Sequence, residues 1–268
     1  VGYYVTGSGA TPAPDTFKIK VDSADFSDSS IGTSAMEMLE STLAHEITHT
    51  IMQNTMPNGM YSNYPAWFKE GTAQLSGGGF TTGWNEALQY YLMGSSPLAS
   101  ENDTQKDDYI KNYLKRSDRQ INNSTSASSA GNVYGQGYLA AAYLGYVANV
   151  QNGGSSAVNA NNIANGMDLI FAKLLQNGNN LDNAIMTVTH NQFTSASDVI
   201  SAVNNASDGA VQFTRRLVFQ TGASGAGSVA ALGGLSAGGT NILGSGANVT
   251  NPQYTISDNV STDAKKLT

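Results

Sequence analysis

His45-Glu46-Ile47-Thr48-His49 is the stretch from which the rest of the chain is read, together with Glu70 downstream. An α-helix turns once every 3.6 residues, so side chains four apart share a face. On a helix, His45 and His49 therefore present two imidazoles to a single metal ion. Glu46 projects beside them, where a carboxylate can take a proton from water. The chain has only three His among its 268 residues. A chance occurrence of this spacing is about a one-in-a-thousand event.

The spacing is the H-E-x-x-H pattern associated with zinc, which prefers four ligands and in catalytic sites keeps one position open. A third protein ligand is therefore required. No further His follows at short range, but Tyr64-Pro65-Ala66-Trp67-Phe68-Lys69-Glu70-Gly71-Thr72-Ala73 does. Pro65 suits the first turn of a helix, where its missing N–H costs nothing. Trp67 and Phe68 anchor that helix in a core, and Glu70 completes a His45-His49-Glu70 set for Zn2+. The plain alternative for Glu70 is a surface carboxylate.

H-E-I-T-H followed by A-W-F-K-E-G-T-A resembles the Glu-ligand zinc metallopeptidases, above all the bacterial collagenase-type branch. The resemblance covers residues 34 to 80 and continues more weakly to 150. It implies a zincin-like α+β fold, with a small N-terminal β-sheet, a mainly helical lobe and a β/Gly-rich C-terminal segment. It also implies an endopeptidase in which Glu46 is the general base. That branch often has a second acid after E-G-x-A, where this chain has Gln74. Taken with its composition, the chain is similar to the flagellinolysin-type domains carried by some bacterial flagellins. That implies display outside the cell on a flagellar filament, among copies of itself.

The resemblance also implies an oxyanion donor: in collagenase-type enzymes a Tyr stands just before a Gly at the start of a later helix. Tyr134, in Tyr134-Gly135-Gln136-Gly137-Tyr138, fits that description. Tyr138 and His190 are the alternatives, and with 13 Tyr in the chain aromatic packing is the plain one.

Composition narrows the function classes. Charged residues are 12% of the chain, the net charge is -7 and the pI is about 4.8. No basic patch points to nucleic acid, and no apolar run is long enough to insert in a membrane. Cys is absent, so there is no disulfide framework. The start, Val1-Gly2-Tyr3-Tyr4, has neither a basic region nor an apolar run, and the chain reads as a mature or excised fragment. Its polarity comes from Asn, Ser, Thr and Gly, as in many exported bacterial surface proteins.

Along the chain, Tyr3-Tyr4-Val5 and the alternating Phe17 to Asp22 read as strands, one of them an edge that could pair with substrate or simply complete a sheet. A capping box at Ser34 and Glu37 opens the His45 helix. Further helices are expected near residues 82–93, 105–117, 139–150, 166–176, 181–189 and 196–205, with polar loops at 117–133 and 152–165. Val211-Gln212-Phe213, Arg216 to Phe219 and Tyr254-Thr255-Ile256 read as strands. This divides the chain into a peptidase domain, residues 1–207, and a β/Gly-rich segment, 208–268, that forms a small module or links to a larger parent. The competing functions are a secreted zinc endopeptidase unrelated to flagella and a non-catalytic surface domain stabilised by zinc. Either peptidase reading takes a protein or peptide as substrate.

Overall fold

The computed structural model describes residues 3–4, 19–20, 44–53, 56, 60–77, 101–126, 130–176 and 180–219. A short antiparallel ladder joins β1 (Tyr3–Tyr4) to β2 (Ile19–Lys20). The helices are α1 (44–53), α2 (Met60–Asn63), α3 (Ala66–Gly77), α4 (Asp103–Leu114), α5 (Ala130–Gln151), α6 (Ala160–Leu174), α7 (Leu181–Val188), α8 (Ala196–Asn204) and α9 (Asp208–Phe219). One 3-10 turn, Ser117–Arg119, follows α4.

The expected α+β architecture is corrected here. The described residues are 74% helical and show no N-terminal β-sheet beside a helical lobe. Among the described residues of the expected strands, two positions pair, Tyr3 with Lys20 and Tyr4 with Ile19. A ladder that short has no face on which to build a core. The core is instead made by helices packed on α5. That helix is apolar on all sides, with Tyr138, Leu139, Ala140, Leu144 and Ala148 almost wholly buried, as expected for a central helix.

Glycine lets α5 approach its neighbours backbone to backbone. A Cβ on Gly71 of α3 would overlap the carbonyl of Gly137 on α5, and a Cβ on Gly137 would sit 3.0 Å from the Trp67 carbonyl oxygen. Two turns further along α5, Gly145 meets Gly166 of α6 in the same way. Trp67 and Phe68 fill the space beside the first crossing and are 0% exposed.

The strand reading of residues 211–219 is also corrected: they lie in α9. Ala210, Val211, Phe213, Thr214 and Leu217 are buried while Gln212 and Arg216 are exposed, which is the spacing of one helical face. Arg215 ties α9 to α4 through ion pairs with Asp103 and Asp107. The helical packing thus continues past residue 207. The strand expected at 254–256, the helix near 82–93 and the Ser34 capping box lie outside the described residues.

The amide-rich composition has a visible use. Asn102, Asn159, Asn180 and Ser195 each cap a helix, accepting a backbone N–H with the side-chain oxygen. Gln105 reaches back to the Asn102 N–H and closes a capping box. Among the described residues, no helix is long and apolar enough to cross a membrane.

Candidate metal centre

Helix α1 sets the two imidazoles. The hydroxyls of Thr48 and Thr50 donate to the carbonyls of Ala44 and Glu46, at 2.8 and 3.0 Å. Both threonines can therefore be buried without stranding a polar group. His45 is buried and His49 half-buried, and their Nε2 atoms lie 3.0 Å apart.

Helix α3 brings the third group. Pro65 stands just before its first residue, and its carbonyl accepts the first helical bonds, from Phe68 and Lys69. The loop 121–126 then pins this end of α3 at three points. Ser124 O accepts from the Ala66 N–H at 2.8 Å, Asn123 Oδ1 from Trp67 Nε1 at 3.2 Å, and Thr125 O from Lys69 Nζ at 3.1 Å. The loop is held in turn by Asn204, whose amide donates to Ile121 O and accepts from Ile121 N. Expected from sequence as part of a polar loop, this segment is a clamp on the helix that carries Glu70.

The three ligand atoms form a near-equilateral triangle. Glu70 Oε2 lies 3.2 Å from His49 Nε2 and 3.3 Å from His45 Nε2, beside the 3.0 Å between the two imidazoles. A tetrahedral ion with bonds of about 2.0–2.1 Å holds its ligand atoms about 3.3–3.4 Å apart. The triangle is therefore close to one face of such a tetrahedron. Hydrogen bonding alone serves the group poorly, because two Nε2 atoms at this separation cannot both point a proton at each other. One cation satisfies all three lone pairs together. His45, His49 and Glu70 thus form a group that could hold a metal ion. With no metal bound, burial works to raise the Glu70 carboxyl, but N–H donation and charge from His45 and His49 outweigh it and hold the group at about 2. A carboxylate therefore faces the two imidazoles.

Two tyrosines and Glu46 surround the triad. Tyr134, on the first turns of α5, places its ring 5.8 Å from that of His45. Burial raises its phenol, and the charges of Glu70 and Glu46 raise it further. Tyr61 of α2 meets the far side of His49, its hydroxyl 2.9 Å from Nδ1. Its phenol is raised by burial and then by the same two carboxylates.

The other expected residues fall elsewhere. Tyr138 is 0% exposed in the core, one helical turn past Tyr134, and cannot face a substrate. His190 is exposed in a left-handed turn after α7, with φ 49°. Gln74 is fully buried on α3, one turn after Glu70. Tyr61 was not anticipated, because a four-residue helix carries no periodic pattern from which to read it. The chain matches no protein-family model, no curated protein and no solved structure.

Proposed function

We propose that the chain is a zinc-dependent endopeptidase that hydrolyses protein or peptide substrates. The observation that carries this reading is the ligand triangle of His45, His49 and Glu70, gathered beside Glu46 and Tyr134. Two imidazoles and one carboxylate are a donor set that suits zinc with a fourth position left open. When bound, zinc supplies a Lewis acid and brings the pKa of its water to about 7. Glu46 takes a proton from the attacking water and passes it to the departing amine as the C–N bond breaks. Tyr134 keeps its proton, because burial and two nearby carboxylates raise its phenol, and donates a hydrogen bond to the carbonyl oxygen as that atom gains charge.

Glu70→Ala is expected to weaken zinc binding more than the 10- to 100-fold typical of losing an outer hydrogen-bond partner. Competition with a chelator of known affinity measures this, and full zinc occupancy at wild-type affinity would move the third ligand elsewhere. Tyr134→Phe is expected to keep the metal and lower kcat/KM by about 10²–10³. An unchanged kcat/KM in steady-state assays removes Tyr134 from the mechanism.

The setting belongs to the same proposal: an extracellular peptidase displayed on a bacterial flagellar filament. Its support is the Cys-free composition and the H-E-I-T-H and E-G-T-A resemblance. The parent gene decides it, since flagellin-type ends must flank the peptidase segment.

A further inference from the structure

We infer that Tyr61 is the positioning residue for the ligand His49. Its hydroxyl oxygen accepts the Nδ1 proton, so the Nε2 lone pair is committed to the side of His45 and Glu70. The inference rests on the metal reading of the triad.

A neutral imidazole carries one N–H. If Tyr61 donated to Nδ1, the proton of His49 would sit on Nε2 and point at His45 and Glu70, where a metal must bind. With Nδ1–H donating to Tyr61 across 2.9 Å, Nε2 becomes an acceptor directed at the triad. The two rings meet edge to face, with centroids 6.4 Å apart at 74°. The Tyr61 ring is itself held: Lys69 Nζ lies 5.4 Å from its centroid, and that ammonium is fixed by its bond to Thr125 O. Met60 and Tyr61 pack against the core, and Tyr64 N–H donates to the Tyr61 carbonyl at 3.2 Å. A helix of four residues has little stability of its own, so these contacts are what place the hydroxyl. Lys69 and Glu70 are neighbours on α3. The element that delivers the third ligand therefore also braces the partner of the second.

The test is zinc affinity, by competition with a chromophoric chelator, of the wild type and Tyr61→Phe. The substitution keeps the ring and its Lys69 contact and removes only the acceptor. Zinc binding is expected to weaken 10- to 100-fold, with a shifted Co2+ absorption band and an unchanged Tm of the metal-free protein. Tyr109→Phe, at an exposed ring on α4, is expected to bind zinc like the wild type. Lys69→Met is expected to weaken zinc in the same direction, by less. Wild-type affinity and an unshifted Co2+ band in Tyr61→Phe overturn the role of Tyr61 while leaving the metal site standing. A wild type that binds no zinc overturns the metal reading and this inference with it. Should Tyr61→Phe not fold, the zinc-loaded wild type still decides: a His49 Nδ1–H protected from exchange in 15N spectra is expected, and its absence overturns the inference.

Discussion

Replacing Glu46 by Gln is expected to leave zinc bound at wild-type stoichiometry and to lower kcat by about 10²–10⁴. The two side chains have nearly the same shape, so the helix and the half-buried position of residue 46 are kept. Glu46 is not one of the three groups that converge on the metal position, and their triangle does not depend on it. What the amide cannot do is accept a proton. The loss should therefore appear in kcat, with KM little changed, as for a group whose contribution is made in the transition state. The negative charge that helps keep Tyr61 and Tyr134 protonated is removed as well. Both phenols remain raised by burial, so Tyr134 keeps its donor proton and Tyr61 its neutral hydroxyl. A preparation of the variant that is free of contaminating peptidase and turns over at the wild-type rate would sink the assignment of Glu46.

The second large effect lies in the packing. Gly71→Ala is expected to cost about 1–3 kcal/mol, or about 2–12 °C in Tm for a domain of this size. An added Cβ meets the backbone carbonyl of Gly137, which cannot swing aside as a side chain can. Helices α3 and α5 must separate, and they carry Glu70 and Tyr134 respectively. On the proposed mechanism, activity should therefore fall along with stability, through the distance between Glu70 and Tyr134. Calorimetry of the metal-free protein measures the first effect and kcat/KM of the loaded protein the second. An unchanged Tm would mean that the two helices do not cross at these glycines.

The group that could hold a metal was legible because a helix converts spacing directly into direction. His45 and His49 needed only the 3.6-residue turn. Glu70 was legible from its neighbours, since Pro65, Trp67 and Phe68 announce the start and the buried face of α3. Tyr134 was named from a resemblance, and the physical reason it reaches the site is the Gly71–Gly137 crossing, which no local pattern reveals. Tyr61 and the Asn123-Ser124-Thr125 clamp act through single contacts between segments distant in sequence, and such contacts have no period.

The fold was read less well, for a related reason. Val211-Gln212-Phe213 alternates over only three residues and Arg216 to Phe219 ends in a three-residue apolar run, both too short to separate a strand from a helix. The burial of Ala210, Val211, Phe213, Thr214 and Leu217 resolves it only over two full turns. The β-branched and aromatic residues at 17–22 have the composition of a strand, and among the described residues they contribute two paired positions. Strand propensity reports fit to a sheet surface, so by itself it does not make the helical core into an α+β one.

The central claim is that His45, His49 and Glu70 hold a catalytic zinc. The most direct measurement is elemental analysis of the purified chain after zinc loading, paired with cleavage of a mixed peptide library with and without a chelator. One zinc per chain is expected, with cleavage that stops on chelation and returns with added zinc. A chain that takes up no zinc, or cleavage that chelation does not touch, would contradict it.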